Sequence, residues 1–141
     1  MKKLLGGFFT MFTVIVLVGS VYAGPADDVA PEVGNKTRLF GASVDQGVLV
    51  CDNFGYKWSL SITGPGQCAG KVDTGGCGVW DVTGTFDAVN IQLVARNSTG
   101  NSCCKQFTYT GKHTGKQGKT ASGNWSNICG GSGTWSMAIC N

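Results

Sequence analysis

Apolar and polar residues alternate one by one through most of the chain after Gly47. A period of two residues predicts half-buried β-strands, and the glycine, asparagine, aspartate and serine residues between the alternating segments are typical of turns. No segment of this region shows the period of an amphipathic helix. We therefore predict an all-β domain of about seven strands, over residues 48–51, 56–62, 80–86, 89–95, 107–111, 121–125 and 133–139.

A short motif of glycine, spacer and aromatic residue recurs in these predicted strands. It occurs at Gly78-Val79-Trp80, Gly84-Thr85-Phe86, Gly123-Asn124-Trp125 and Gly133-Thr134-Trp135. Glycine two residues before a large ring lies on the same strand face and permits sharp strand curvature. Strands that follow one another through short turns and bend in this way favour an antiparallel up-and-down meander that closes, or nearly closes, into a small barrel. A two-sheet β-sandwich is the alternative.

One copy of the motif has a local resemblance to known families. Residues 123–127 resemble the glycine-x-tryptophan turn of avidin-type and lipocalin-type barrels. The resemblance covers this string alone and lies near the opposite end of the chain from its place in those barrels. It therefore assigns neither a family nor any ligand contact.

The first 46 residues differ from the rest of the chain. Residues 1–23 combine Lys2 and Lys3, an apolar stretch to Val18 and small residues up to Ala23, which predicts a secretory signal helix cleaved after Ala23. Retention of this segment as an anchor is the alternative; after cleavage no membrane span is expected. Residues 24–46 show no period and are predicted to form a flexible N-terminal arm. The β domain then covers residues 47–141, in a secreted or periplasmic protein.

All seven cysteines follow the signal segment, which in an exported protein indicates a disulfide-stabilised fold. Cys51 ends the first predicted strand and Cys140 ends the last, and these two strands are neighbours in a closed barrel. Cys68 and Cys77 share the predicted loop after the second strand. We therefore predict the disulfides Cys51–Cys140 and Cys68–Cys77.

The remaining three cysteines lie at one predicted end of the barrel. We predict that Cys129 pairs with Cys104 or with Cys103, and that the other one is a buried free thiol; an intermolecular disulfide and a reactive thiol are the alternatives. The closely spaced cysteine or histidine pairs of a zinc site do not occur, so no metal is expected.

Charge and titratable residues argue against several classes of function. Loss of Lys2 and Lys3 with the signal would leave nine basic and eight acidic residues, so the near-neutral surface predicts no nucleic-acid binding. His113, the only histidine, lies in the lysine-rich stretch 111–120 and is interpreted as a solvated hairpin tip, away from the cysteine cluster. A Cys-His pair is therefore not expected. We predict that the protein is not an enzyme and uses no cofactor.

The tryptophans are the best candidate binding residues. Trp58, Trp80, Trp125 and Trp135 share the apolar face of the predicted strands, where they either fill the core or line a cavity. We therefore predict a non-enzymatic, exported barrel that binds a small apolar ligand in its cavity, or a protein or carbohydrate at its loops. The alternative is a secreted inhibitor or cell-envelope interaction module that acts through its loops or its N-terminal arm.

Overall fold

Eight β-strands make up most of the chain that the structure, a computed structural model, describes, namely residues 38–43 and 46–141. The predicted signal helix lies outside these residues, as does most of the predicted arm. Short 3-10 turns occur at Gly75–Cys77 and Lys116–Gly118. The strands are Gly47–Asp52 (β1), Lys57–Gly64 (β2), Gln67–Asp73 (β3), Val79–Phe86 (β4), Asn90–Arg96 (β5), Gln106–Thr114 (β6), Thr120–Asn127 (β7) and Ser132–Ile139 (β8).

The strands form a closed antiparallel barrel in sequence order, from β1 to β8. This confirms the up-and-down meander, and the two-sheet sandwich is wrong. Closure between β1 and β8 uses three residue pairs, beginning with Val50 opposite Ile139. An even number of strands makes this closing pair antiparallel, whereas seven strands would have made it parallel. No helix among the described residues is long and apolar enough to span a membrane.

The strand that the sequence pattern did not predict is β3. Its inward positions are Cys68, Gly70 and Val72, so a small residue and a glycine stand where large apolar side chains mark the other strands. A methyl group on Gly70 would lie 1.9 Å from the carbonyl oxygen of Ser59. The close approach of β2 and β3 therefore requires glycine and removes the hydrophobic signal at the same time.

Three disulfides cross-link the barrel: Cys51–Cys140, Cys77–Cys103 and Cys104–Cys129. The first and third agree with the predicted pairs. The predicted Cys68–Cys77 bridge is wrong because Cys68 lies near the start of β3 and Cys77 lies beyond its other end. Cys68 is instead a buried free thiol, so the unpaired cysteine is neither Cys103 nor Cys104.

A turn before β1 closes one end of the barrel. Leu39 and Ala42 exchange backbone hydrogen bonds of 3.2 and 2.9 Å, and Phe40 and Gly41 between them both have positive φ. Leu39 and Phe40 are fully buried and belong to the hydrophobic core. The prediction of a flexible arm up to residue 46 is therefore wrong for these residues, which plug the barrel. Burial of the Phe40 ring offsets the cost of the left-handed backbone.

His113 lies beside this plug and not in a solvated hairpin tip, so that prediction is wrong as well. It occupies an inward position near the end of β6, and its ring meets the Phe40 ring edge to face at 5.4 Å. Its two ring nitrogens are buried and lack well-formed hydrogen bonds. The pKa of His113 is lowered by burial, which the Gly118 backbone and the charge of Asp87 only partly offset.

Candidate functional site: an aromatic cavity at the barrel mouth

The end of the barrel opposite the plug is formed by four loops, which we call the mouth: residues 53–56, 74–78, 97–105 and 128–131. In an up-and-down barrel alternate connections lie at the same end, so the loops after β1, β3, β5 and β7 meet there. Binding sites of such barrels are typically found at their open ends. A ligand-binding site is therefore expected at the mouth.

Disulfides and hydrogen bonds hold three of these loops together. Cys77–Cys103 joins the loop after β3 to the loop after β5, and Cys104–Cys129 joins the latter to the loop after β7. The Asn101 amide also donates a hydrogen bond of 2.8 Å to the carbonyl oxygen of Cys77. The walls of the mouth are therefore fixed before any ligand arrives, which lowers the entropic cost of binding.

A cavity of about 160 Å³ lies inside the mouth. Four aromatic rings line it, with the Cys77–Cys103 disulfide and Ala95 completing much of its wall; the rings belong to Tyr56, Trp80, Phe107 and Tyr109. Trp80 and Phe107 have ring centroids 5.4 Å apart, and Phe107 and Tyr109 are stacked at 6.4 Å. The cavity is therefore a box of aromatic faces and edges with few polar groups.

The four tryptophans named from the sequence have different positions relative to this cavity. Trp80 lines it. Trp58 and Trp135 are 0% and 2% exposed and lie in the core beneath it, where both rings contact Tyr109. Trp125 is half-buried, and its ring centroid lies 5.4 Å from that of Phe107. Three of the four tryptophans are therefore buried, and Trp125 is partly exposed.

Hydrogen bonds fix three of these indole rings. The Trp80 Nε1–H donates to the carbonyl oxygen of Cys77 at 2.9 Å, and the Trp135 Nε1–H donates to the carbonyl oxygen of Asn124 at 3.0 Å. The Trp58 Nε1–H donates to the Asp52 carboxylate at 3.0 Å. Because a buried indole N–H needs an acceptor, these bonds select one orientation for each ring and keep the cavity wall rigid.

Asp52 is the one charged residue buried in the core among the described residues, with 8% exposure. Besides the Trp58 indole, its carboxylate accepts the backbone N–H groups of Phe54 and Tyr56, each at 2.9 Å. It therefore shapes the loop after β1 and anchors Tyr56 at the cavity. Burial, together with the nearby Asp52 and Tyr56, raises the pKa of Tyr109, so the hydroxyl of Tyr109 stays protonated at neutral pH.

Sequence reasoning did not name Asp52, Tyr56, Phe107 or Tyr109 as site residues. The three aromatic residues could be recognised only as apolar positions of strands, because nothing in their spacing shows that they face one cavity. Asp52 carried a usable signal: it lies one residue beyond the first predicted strand but continues the inward alternation of Val48 and Val50, where a charge is costly unless it has partners. Such a residue marks a place worth testing for function.

Other depressions of the surface are larger but less suited to binding. Those of about 390 and 510 Å³ lie on the outer side of the barrel, where threonine, serine, glutamine and asparagine residues supply most of the lining. Residues 38–43 and 46–141 contain no group of three or more His, Cys, Asp or Glu residues that could hold a metal ion. The aromatic cavity is thus the best-formed site in this part of the chain.

Comparison with solved structures identifies the fold as that of avidin-like barrels. The structure of a rhizavidin–biotin complex matches 68% of this chain and 92% of its own, with a TM-score of 0.55 and 14% identity. The apo shwanavidin structure matches 66% of this chain and 96% of its own, with a TM-score of 0.55 and 16% identity. The structure of intact apo afifavidin matches 72% of this chain and 85% of its own, with a TM-score of 0.57 and 14% identity. Neither a protein-family model nor a curated protein sequence matches the chain. At this identity the likeness concerns the fold alone.

Proposed function

We propose that this protein is an exported, non-enzymatic binding protein that holds a small, ring-bearing or largely apolar molecule in the mouth cavity. The observation that carries the proposal is the convergence of Tyr56, Trp80, Phe107 and Tyr109 on one cavity between disulfide-linked loops. Apolar and aromatic lining with a few fixed polar groups is typical of small-molecule sites. Of the similar structures, the rhizavidin one contains biotin, which makes biotin the first molecule to test.

The size of the cavity limits the part of the ligand that is enclosed. Its 160 Å³ is below the volume of about 300 Å³ at which ordinary ligand pockets begin, and close to that of an engineered cavity of about 150 Å³ that accepts benzene. One ring or a compact group of similar size therefore fits inside. The remainder of a larger ligand would lie against the half-buried ring of Trp125, at the edge of the mouth.

Export is part of the same proposal. Three disulfides in a domain of this size are typical of proteins that fold in an oxidising compartment, outside the cell or in the periplasm. The predicted signal in residues 1–23 agrees with that compartment. An isolated thiol buried in the core, Cys68, does not conflict with it because the thiol has no partner cysteine within reach.

Native mass spectrometry of protein purified from its own source, followed by tryptophan fluorescence titration, tests the proposal. We expect bound mass, and saturable quenching by the molecule released or by biotin. The variant Ala95→Leu fills part of the cavity and should lower the affinity for this molecule by about tenfold or more. The control variant Ala138→Leu adds the same side chain on the outer face and should leave the affinity unchanged. Absence of bound mass and of quenching, or equal effects of both variants, would contradict the proposal.

A second candidate function is protein binding by the rim of the mouth. Phe54, Val79 and Ile128 are 45%, 54% and 65% exposed and lie in or next to three of the four mouth loops. Exposed apolar residues grouped in this way are typical of interaction sites. Triple substitution of these residues by Ser should abolish capture of a protein partner and leave small-molecule binding unchanged. Loss of both activities would instead indicate that the rim belongs to the small-molecule site.

A further inference from the structure

The buried carboxylate of Asp52 has no cationic partner among the described residues. All three of its hydrogen-bond donors are neutral N–H groups, from two backbone amides and the Trp58 indole. The ion pair in this part of the chain, Lys71–Asp81, lies on the outer face. A buried carboxylate is usually paired with a cation, whereas Asp52 is stabilised by neutral hydrogen-bond donors alone.

This charge lies directly behind the wall of the aromatic cavity. The Asp52 carboxylate is bonded to the backbone N–H of Tyr56, a lining residue. It is also bonded to the Trp58 indole, whose ring meets the lining residue Tyr109 edge to face at 5.0 Å. Asp52 is only 8% exposed, although it also borders the outer depression of about 510 Å³, so its field reaches into the cavity with less screening than that of a surface carboxylate.

The rings of the cavity, like the Asp52 carboxylate, attract positive charge. The faces of tryptophan, tyrosine and phenylalanine rings carry partial negative charge, and a cation surrounded by several of them is stabilised without hydrogen bonds. Four such rings line the cavity, and Trp80 and Phe107 are tilted towards each other by 50°. Aromatic faces and a buried carboxylate therefore both favour a positively charged ligand.

Apart from the hydroxyls of Tyr56 and Tyr109, the hydrogen-bonding groups of the cavity wall are few and occupied. The carbonyl oxygen of Cys77 already accepts from Trp80 and Asn101, and the Thr74 hydroxyl donates to the carbonyl oxygen of Gly78. A ligand group that needs many hydrogen bonds would lose those it makes with water and gain few here. A quaternary ammonium group needs none, because its charge is spread over methyl groups.

We propose that the molecule held in the mouth is a small organic cation of the quaternary ammonium class, with its trimethylammonium-like head inside the aromatic cavity. The inference rests on the proposed small-molecule function and names its ligand class. A head of this kind is about as large as benzene, which the cavity volume accommodates. Asp52 supplies the long-range attraction, and the rings of Tyr56, Trp80, Phe107 and Tyr109 supply the contact.

Fluorescence and calorimetric titrations of the exported protein with choline and with its neutral analogue 3,3-dimethylbutan-1-ol test the inference. The two molecules have nearly the same shape and differ in charge. We expect choline to bind about tenfold more tightly, with tetramethylammonium competing for the same site. Equal affinity for both molecules, or tighter binding of the neutral one, would overturn the inference. Binding of biotin or another neutral ring without choline binding would overturn it and leave the proposed function standing.

Matched variants locate the source of the preference. Asp52→Asn keeps an acceptor for the Trp58 indole and should reduce choline affinity about tenfold, whereas Asp81→Asn removes the same charge from the outer face and should have no effect. If Asp52→Asn does not fold, Phe107→Leu serves in its place: it keeps an apolar side chain but removes a ring. It should weaken choline binding more than binding of the neutral analogue, which loses only the apolar contact, and equal weakening of both would overturn the inference.

Discussion

Cys103 and Cys104 are consecutive residues, yet they form disulfides with two different loops, through Cys77 and Cys129. Adjacent residues of the loop after β5 thus join its two neighbours at the mouth. This arrangement explains how a cavity can be built from loops and still be rigid. It also means that the loss of either disulfide affects the same segment of chain.

Removal of Cys77–Cys103 by the double substitution Cys77→Ser, Cys103→Ser should lower the free energy of unfolding by about 3 kcal/mol. The bridge spans 26 residues, and a cross-link of this length restricts the unfolded chain by roughly that amount. Urea unfolding monitored by circular dichroism measures the change. A loss below about 1 kcal/mol would show that the loops are held mainly by their hydrogen bonds.

Cys68 should be unreactive in the folded protein. The thiol is buried in the core, and burial raises its pKa to about 11, so little reactive thiolate is present at pH 8. Thiol titration should count no free cysteine in native protein and one in denaturant, and none in a Cys68→Ala variant under either condition. Because the thiol ionises more readily in the unfolded chain, stability should also fall as the pH rises from about 9 to about 11. Rapid labelling of the native thiol would contradict this prediction.

The plugged end should be sensitive to acid through His113. Burial lowers the pKa of this histidine below 6.5, so as the pH falls the unfolded chain binds a proton that the folded chain resists. Stability should therefore decrease below about pH 6.5, by at most about 1.4 kcal/mol per pH unit. The variant His113→Phe keeps a ring against Phe40 and should remove that slope. Chemical denaturation between pH 5 and about 6.5 measures the free energy of unfolding. If it falls with pH as steeply in the variant as in the natural protein, other groups cause the acid sensitivity.

Gly123 should not tolerate a side chain. Its Cβ would lie 2.0 Å from the carbonyl oxygen of Thr110, so Gly123→Ala forces β6 and β7 apart and should cost about 3 kcal/mol or prevent folding. Gly47→Ala is the matched control, since a Cβ there meets nothing closer than 3.6 Å and its effect should be small. Similar melting temperatures of the two variants would contradict the close approach of these strands.

The alternation of apolar and polar residues predicted seven of the eight strands because large inward side chains mark them. It also pointed to the glycine–aromatic motif, although the relevant contact is between strands: Gly123 stands opposite Trp135, and Trp125 stands opposite Gly133. The Trp125 ring thus lies against Gly133, and the Trp135 ring reaches past β7 to Gly111 of β6. A local pattern could identify both residue types but not the register that brings them together.

The errors have physical causes that a local pattern does not contain. Gly70 removed the hydrophobic signal of β3, and the missing strand then placed Cys68 in a loop with Cys77. Leu39 and Phe40 form a tight turn with no period, so their burial depends on the open end of a barrel that the rest of the chain builds. The mouth cavity is likewise a product of long-range packing.

The seam between β1 and β8 is short, with three residue pairs, and the Cys51–Cys140 bond lies beside it. Hydrogen-bonded strands can be peeled apart one at a time when a force pulls on the two ends of a sheet. Here a force applied at residue 46 and at Asn141 would run through the covalent bond and bypass the strands between them. Tension on the two ends would therefore load the disulfide and leave the barrel closed.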